Sequence, residues 1–302
     1  MLYYIIFNMK IVISNKDKKE LFISVFHVLK NCSSIISCTF KQELLHIQGM
    51  DKSHVCLFNL EIKNKWFDEY NIIDQKQIAF DSNVFHSIIS TKSEKQDLII
   101  KMDDDNEDIV FIQFLPTISV VEEKEQEQEP CEDLDNKKKG KKGKKGLEGK
   151  KGLEKEKNEF KKLFKMPLTE YDYEEMNIPV VDYDAEFSLS SKLVSDIFSQ
   201  LNNFGNDIIV KCSEESIHLT TNSITGEMCV QIPIDDLTSY SVIEGEEVEL
   251  IYSLIYVNKM CITSKISAEI DFSLSKESPM KISYDLGDDS YIVFYMAPKI
   301  SD

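Results

Sequence analysis

Residue types that carry chemistry are scattered in this sequence. No two histidines have the H-x-x-x-H spacing of zinc ligands, and neither a phosphate-binding glycine loop nor a G-x-S-x-G motif occurs. Asp103-Asp104-Asp105 and Asp288-Asp289 fall in predicted turns, where solvated carboxylates are common. The histidines are His27, His46, His54, His86 and His218. We therefore predict a protein that is not an enzyme and that uses no metal and no cofactor.

The composition of the charged residues argues against two further functions. All 35 basic residues are lysine, against 53 acidic residues, and the net charge is −18. A chain without arginine has no planar fork for reading guanine edges or for clamping a transferring phosphoryl group. We therefore expect neither sequence-specific DNA recognition nor phosphoryl-transfer catalysis.

The cysteines and the hydropathy pattern indicate the compartment. Seven cysteines are odd in number and never spaced C-x-x-C, which favours reduced thiols in a cytosolic or nuclear protein. The opening MLYYIIFN is too short and too poor in flanking positive charge for a signal peptide. No later run approaches the ~20 apolar residues of a membrane span. Because the strand-like KIVIS follows Met9, we expect translation to begin there.

The first half of the chain alternates between strand and helix patterns. Phe22, Val25, Phe26 and Leu29 make one apolar stripe of a helix from Lys16 to Asn31. A second helix is predicted from its N-cap Asp81 to Thr91, burying Val84, Phe85, Ile88 and Ile89. Strands are predicted in KIVIS, SIISCTF, ELLHIQGM, HVCLFNLEI, DLIIKM and DIVFIQF.

The second half repeats this order. Ser188 is the predicted cap of a helix that buries Leu193, Val194, Ile197, Phe198 and Leu201. A fourth helix, Ser253 to Thr263, buries Leu254, Val257, Met260 and Cys261. Strands are predicted in DIIVKC, SIHLTTN, EMCVQIPI, AEIDFSL, MKISYDL and YIVFYMAP. The fold class is thus α+β, with two topologically similar domains of antiparallel sheets and two helices each, and duplication explains the likeness better than chance.

Two segments stand outside the repeat. Residues 122–158 are acidic and then rich in lysine and glycine, without apolar periodicity, and we predict a disordered insertion. Its basic part either grips phosphates, serves in nuclear import or is a solvated tether. Outside 136–158, 24 lysines face 50 acidic residues. The predicted units are a domain at 9–121, the insertion, an edge strand at 159–168, a linker at 169–184 and a domain at 185–302.

Three separated motifs carry a family resemblance. The sequence reads GMDKSHV from Gly49, MNIP from Met176 and FYMAPKI from Phe294. The proliferating cell nuclear antigen family, the eukaryotic-type DNA sliding clamps, has SMDSSHV, LGIP and YYLAPKI at the same relative positions. The chain resembles a divergent member of this family from Met9 to the end, apart from the insertion.

The resemblance implies a ring-forming subunit with the DNA clamp fold. Three subunits would join head to tail, with strands outside and the four helices lining a central hole for duplex DNA. The family's subunit edges match 159–168 and Thr225 to Pro233, and edge pairing would remove exposed strands. The implied interface residues are Phe160, Leu163, Phe164, Met166, Met228, Val230 and Ile232.

The resemblance also implies a pocket for client proteins. Polymerases, ligases and flap nucleases would insert a short helical motif with aromatic ends, held by apolar anchors in a groove. The residues that match this pocket are Met50, His54, Val55, Leu57, Met176, Ile178, Pro179, Pro279, Tyr295, Ala297 and Pro298. For Val55 and Leu57, a plain core role is equally open.

The positions that match the family's DNA-facing helices are only partly basic. The expected lysines are Lys16, Lys18, Lys19, Lys30, Lys92, Lys192, Lys259 and Lys265. Other positions where the family is basic hold Ser87, Ser90, Asp196, Ser199, Ile255 and Ile262 here. We therefore expect weak DNA contact with a shallow salt dependence.

The function implied by the resemblance is that of a processivity factor. It would encircle double-stranded DNA without reading its sequence, tether DNA polymerase and other replication and repair proteins, and work as a homotrimer in the nucleus, or in a cytoplasmic viral replication compartment. A separate ATP-dependent clamp loader would open the ring. Two alternatives stay open, namely a checkpoint-type subunit of a heterotrimer, and a client-binding scaffold that does not encircle DNA.

Overall fold

Four α-helices and eighteen β-strands make up the part of the chain that the computed structural model describes, residues 8–92, 94–103, 106–116, 160–171, 173–224 and 226–299. The predicted insertion 122–158 lies outside these residues. Within them, no helix is long and apolar enough to cross a membrane. Nor do three or more histidine, cysteine, aspartate or glutamate side chains gather there in a way that could hold a metal ion.

The first half contains nine strands and two α-helices. Its elements are β1 (Met9–Ile13), α1 (Lys16–Cys32), β2 (Ile35–Phe40), β3 (Leu44–Met50), β4 (Cys56–Lys63), β5 (Glu69–Ile72), β6 (Lys76–Asp81), α2 (Ser82–Ile89), β7 (Gln96–Met102), β8 (Ile109–Pro116) and β9 (Lys162–Pro167).

The second half has the same order of elements. They are β10 (Ala185–Ser190), α3 (Ser191–Leu201), β11 (Asp207–Cys212), β12 (Ser216–Ser223), β13 (Gly226–Pro233), β14 (Ser239–Val242), β15 (Val248–Ser253), α4 (Leu254–Met260), β16 (Glu269–Leu274), β17 (Met280–Gly287) and β18 (Ser290–Met296).

The sheet topology confirms the predicted duplication. The order β5-β1-β7-β8-β9 in the first half recurs as β14-β10-β16-β17-β18 in the second, and β6-β2-β3-β4 recurs as β15-β11-β12-β13. All of these neighbours pair antiparallel. Each half is therefore one copy of a single α+β unit.

One strand pair joins the two units. β18 pairs antiparallel with β4, with Phe294 opposite Phe58, and this fuses the neighbouring strands into one nine-stranded sheet. By the repeat, β9 corresponds to β18 and β13 corresponds to β4. Within the described residues, β9 and β13 each have one strand neighbour and end their sheets.

The helices lie beside one another in the order α2-α1-α4-α3, which carries the row across the junction between the units. Two caps show how their starts are set. The Asn15 side chain accepts hydrogen bonds from the backbone N–H of Asp17 and Lys18, and Asp81 does the same for Asn83 and Val84. The predicted cap Asp81 is thus confirmed.

The predicted cap Ser188 is wrong. Helix α3 begins three residues later, with Ser190 as its N-cap. Ser188 instead belongs to β10, and its hydroxyl donates to Asp271 Oδ1 at 2.5 Å. The strand-like run AEFSLS therefore continues further than the helical apolar pattern suggested.

The predicted buried stripes are correct except at two positions. Val84 in α2 is 46% exposed and Leu193 in α3 is 41% exposed. Each stands one residue before the buried stripe of its helix, about 100° around the axis, and so faces away from the sheet. Ile88 is half-buried, and all the other predicted stripe residues are buried.

We predict that two neighbouring residues of α2 differ sharply in their contribution to stability. The Phe85 ring packs 4.6 Å from Phe26 and 4.5 Å from Phe80, centroid to centroid. Phe85→Ala should lower the free energy of unfolding by about 3–5 kcal/mol, because it leaves a cavity in the core. Val84→Ala, the matched control, should change it by less than about 1 kcal/mol. Urea denaturation followed by tryptophan fluorescence measures both, and equal effects would contradict the burial of Phe85.

Candidate functional site

An apolar groove lies where the β4–β18 junction meets the segment between the two units. Its cavity volume is about 280 Å³. It is lined by Met50, His54, Val55, Leu57, Met176, Asn177, Ile178, Pro179, Val181, Tyr183, Ser278, Pro279, Tyr295 and Ala297. We call this the junction groove. The structure thus brings together every residue of the predicted pocket except Pro298.

Pro298 lies outside the groove because the chain turns away after Ala297. The Ala297 N–H donates to Val55 O at 3.2 Å, and the Lys299 N–H donates to Ile251 O at 2.7 Å. Val55 directly precedes β4 and Ile251 lies in β15, so these two bonds direct the terminal segment from the start of β4 to β15. Sequence reasoning missed Asn177, although it stands inside the MNIP motif, and it missed Val181, Tyr183 and Ser278, which none of the three motifs contains.

The loop between β3 and β4 is shaped by one buried carboxylate. Asp51 accepts hydrogen bonds from Ser53 N at 2.8 Å, Val55 N at 2.8 Å and Cys56 N at 2.6 Å. This turn forces His54 into the left-handed region, with φ of 56°. His54 Nδ1 then lies 3.0 Å from Met50 Sδ, so both side chains stand at one wall of the groove.

The opposite wall is an extended segment of the linker. Met176, Asn177 and Pro179 are exposed and Ile178 is half-buried, and none of them belongs to a helix or strand. The backbone of Met176 is held by Gln48 on β3. This wall is therefore an extended loop segment that lies over the sheet, and it is not part of a helix or a β-strand.

Two phenols are among the polar groups that line the groove, together with His54, Asn177 and Ser278. Burial raises the pKa of Tyr183 to about 12 and also raises the pKa of Tyr295. Both hydroxyls therefore stay protonated near neutral pH and can take part in hydrogen bonds without adding charge. An apolar cleft with a few neutral polar groups suits a short apolar or aromatic peptide segment.

The predicted DNA-facing lysines do not behave as one set. Lys19 is fully buried, with Nζ donating to Gln96 O and, at 3.3 Å, to Glu94 O, so its prediction as a DNA contact is wrong. Lys18 is held by Asp288 Oδ2 at 2.8 Å and by Trp66 O at 2.7 Å. From the sequence, a lysine close to the start of an amphipathic helix is expected to face solvent. The backbone carbonyl groups that accept hydrogen bonds from Lys18 and Lys19 are brought close only by the fold.

The remaining lysines differ in how free they are. Lys16 pairs with Glu94 at 3.0 Å, and the Lys92 side chain, only 10% exposed, lies 3.8 Å from Glu20. Lys192 is exposed at the start of α3, and Lys265 is exposed beyond the end of α4. Carboxylates therefore already partner several of the positive charges on this side of the molecule.

Two lysines meet where α1 and α4 adjoin. Lys30 and Lys259 line a common cleft together with Lys52, which sequence reasoning did not select. Lys259 Nζ lies 5.1 Å from the Tyr256 ring centroid, and Lys30 Nζ lies 3.1 Å from His86 Nδ1. This cleft therefore brings together three lysines, with Asp51 as the one acidic residue of its lining.

The predicted interface residues lie on or beside β9 and β13, each of which ends a sheet. Phe160 is 77% exposed and Leu163 is 48% exposed, whereas Phe164, Met228 and Val230 are half-buried. Met166 and Ile232 are buried in the core of their own chain. Their side chains are therefore not available to a second chain, because alternate residues of an edge strand face inward.

This architecture, a doubled antiparallel unit with a continuous row of helices and a groove at the central junction, is that of a DNA sliding clamp. Residues 14–130 match the family model described as "Proliferating cell nuclear antigen, N-terminal domain", and residues 177–299 match its C-terminal counterpart. The chain belongs to the proliferating cell nuclear antigen family.

A solved structure has the same fold. The crystal structure of the proliferating cellular nuclear antigen from Entamoeba histolytica matches with a TM-score of 0.76 and 18% sequence identity, over 98% of this chain and 100% of that one. Identity this low supports the shared fold alone. The sequence expectation of a divergent family member is confirmed.

We predict that Asp51 stabilises the groove wall. Asp51→Ala removes the acceptor of three backbone N–H groups, and the free energy of unfolding should fall by about 2–3 kcal/mol. Asp74→Ala, which changes an exposed aspartate in a turn, is the matched control and should have little effect. Urea denaturation tests this, and an Asp51→Ala protein as stable as the control would contradict the role of the carboxylate.

We also predict a pH dependence set by the helix row. The His86 pKa is lowered to about 4, chiefly by burial and then by Lys30 and His27, whose ring stacks on it at 5.4 Å. The unfolded chain, with an ordinary histidine pKa of ~6.5, binds more protons than the folded chain between these two values. Stability should therefore decline as the pH falls from ~6.5 towards 4.

His86→Gln tests this, because it removes the titrating group while keeping a polar side chain. The decline in thermal midpoint between pH 6.5 and pH 4 should be smaller in His86→Gln than in the unchanged protein. His54→Asn, at an exposed position whose left-handed backbone asparagine tolerates, is the control. An unaltered decline in His86→Gln would contradict the assignment.

Proposed function

We propose that this protein is a DNA sliding clamp, a processivity factor that closes into a ring of three copies around duplex DNA. The ring would hold DNA by a topological link and tether DNA polymerase and other replication and repair proteins. The observation that carries the proposal is the relation between the paired strands β18 and β4 and the unpaired strands β9 and β13. Strands β18 and β4, which correspond to β9 and β13 in the repeat, already pair in this way within the chain.

The repeat supplies the register of the proposed contact between copies. Aligning the two units through their paired residues makes Phe164 the counterpart of Phe294 and Met228 the counterpart of Phe58. Since Phe294 faces Phe58 within the chain, Phe164 of one copy would face Met228 of the next. The same transfer sets Lys165 against Glu227.

The residues at this register are chemically complementary. Phe164 and Met228 are half-buried apolar side chains that lean against their own cores. Lys165 and Glu227 are both exposed and of opposite charge. Head-to-tail pairing of this kind would give β9 and β13 of every copy a second strand neighbour, and in a closed ring neither of these two strands would stay at an edge.

The helix row would line the central hole. Of the eight lysines predicted there, three have carboxylate partners and one is buried, while Val84, Leu193 and Ile255 are exposed on the row. Weak and sequence-independent phosphate contact follows, which suits sliding. A closed ring needs an opener, and we propose that a separate ATP-driven loader does this in the nucleus.

The junction groove would receive the clients. Its apolar lining and neutral phenols fit a short helical segment with aromatic anchors, in which a few buried contacts supply most of the affinity. We propose no catalytic step for this chain, because its role would be to hold other proteins at DNA.

Threading onto DNA tests the proposal directly. The protein is added to a long duplex fixed to a bead at one end, the free end is then blocked with streptavidin, and the bead is washed. Protein should stay on the blocked duplex and leave when a restriction enzyme cuts it. Retention should fall far less than the ~10³-fold expected of a protein with many phosphate contacts when salt rises from about 50 to 200 mM. Retention that survives cutting would contradict encirclement.

A charge exchange tests the proposed ring contact. The unchanged chain should have a mass of about 105 kDa by light scattering, three times its 34.9 kDa. Lys165→Glu should raise the concentration at which the trimer dissociates, because it places two acidic side chains opposite each other at each junction. Combining it with Glu227→Lys should restore the original value.

The outcome also separates the alternatives. A monomer at every concentration would favour a subunit that needs different partner chains. A trimer that Lys165→Glu does not weaken, or that the double exchange does not restore, would contradict the proposed register.

A further inference from the structure

The linker is attached to the body of the protein at few points. At its ends, Thr169 N donates to Ala79 O at 2.8 Å and Asp184 N donates to Leu274 O at 2.8 Å. Between them, the hydrogen bonds from described residues 170–171 and 173–183 to the two units all involve one side chain, that of Gln48. Val180, further along, is fully exposed. The middle of the linker therefore depends on a single residue of β3 for its hydrogen-bonded attachment.

Gln48 uses both ends of its amide for this purpose. Its Nε2 donates to Met176 O at 3.0 Å, while its Oε1 accepts from Met176 N at 2.7 Å and from Tyr173 OH at 2.8 Å. The pair of bonds to Met176 imitates the pairing of one strand residue with the next. Gln48 itself is only 5% exposed, so the linker satisfies a buried amide that would otherwise be left without these partners.

The other contacts at this point are weaker. Glu175 lies 3.6 Å from His46 Nδ1 and 4.0 Å from Lys41 Nζ, and its side chain is 59% exposed. Ion pairs this exposed and this long contribute little. The position of Met176 is therefore set by Gln48 rather than by charge.

The attached residue forms part of the junction groove, whereas Gln48 does not. Met176 and Ile178 line the groove on one side of the linker. Gln48 lies on the other side, in a polar cleft with His46, Asn59, Glu61 and Glu175. A change at Gln48 can therefore alter the groove without removing any atom that a bound peptide would touch.

We propose that Gln48 is the positioning residue of the client groove. It holds the linker at Met176 and thereby fixes the wall formed by Met176 and Ile178, so that a client need not order the linker when it binds. A wall already in place lowers the entropic cost of binding. This inference rests on the proposed client-binding role of the groove.

The test measures the linker and the groove separately. Gln48→Leu removes the amide and with it all three hydrogen bonds, and leaves an apolar side chain that is one atom shorter. The amide of Met176 should exchange with deuterium at least about tenfold faster in this variant, because its acceptor is gone. The Kd of a fluorescein-labelled helical peptide ending in two phenylalanines should rise about tenfold, equivalent to about 1.4 kcal/mol.

Graded variants separate positioning from a merely structural effect. Gln48→Glu can still accept from Met176 N and Tyr173 OH but cannot donate to Met176 O, so its exchange rate and Kd should lie between those of the unchanged protein and Gln48→Leu. Tyr173→Phe removes one bond without touching β3 and should raise the Kd about two- to threefold. Gln77→Leu, which changes a glutamine of β6 that donates to Ser37, is the matched control and should leave both readings unaltered.

Each outcome decides something. Unaltered exchange at Met176 in both Gln48→Leu and Tyr173→Phe would overturn the proposal, whatever the peptide does. Faster exchange with an unaltered Kd would overturn the link between the attachment and the groove. Absence of peptide binding by the unchanged protein would count against the proposed function, while the exchange readings would still report whether Gln48 holds the linker.

Discussion

The edge of a β-sheet is the constraint on which this molecule depends. A strand at an edge presents unpaired backbone N–H and C=O groups that attract another strand. Among the strands that end the two sheets of each unit, two concern the contact between units, at the places of β9 and β18 and of β4 and β13. Joining β18 to β4 within the chain satisfies one pair and leaves β9 and β13. The duplicated chain therefore contains one completed contact, between β18 and β4. The corresponding strands β9 and β13 have no such partner within the described residues of the chain.

The junction groove arises from the pairing of β18 with β4. Pairing β18 with β4 brings the loop after β3, the residues after β18 and the linker together at one place. Asp51 fixes the loop, and Gln48 fixes the linker. Neither residue lines the groove, yet both determine where its walls stand. Asp51 and Gln48 hold the two walls by separate sets of hydrogen bonds. The position of the linker wall therefore depends on the buried amide of Gln48.

Much of the fold could be predicted from the sequence, because the pattern of each half could be checked against the pattern of the other half. Helix α1, with its stripe Phe22, Val25, Phe26 and Leu29, and strand β11 were placed almost to the residue. Five strands were missed. Strands β5 and β14 are four residues long, EYNI and SYSV, and too polar to show an apolar period. Strands β6, β10 and β15 each lead directly into a helix, and only the helical pattern was recognised there. All groove residues within motifs except Asn177 were found, whereas Tyr183 and Ser278, which only tertiary structure brings there, were not. Lys19 shows the same limit, since its buried acceptors lie near Gln96, distant in sequence.

The most direct test of the account is a cross-link at the register transferred from β18 and β4. Within the chain Val293 faces Asn59, so Leu163 of one copy would face Cys229 of the next, both exposed. Mild oxidation of Leu163→Cys should give a covalent species of three chains on a non-reducing denaturing gel. The species should be absent in Leu163→Cys with Cys229→Ser, and in Phe164→Cys, whose side chain faces the core. No cross-link in Leu163→Cys, or an equal yield in Phe164→Cys, would contradict the claim that copies of this chain repeat its internal junction.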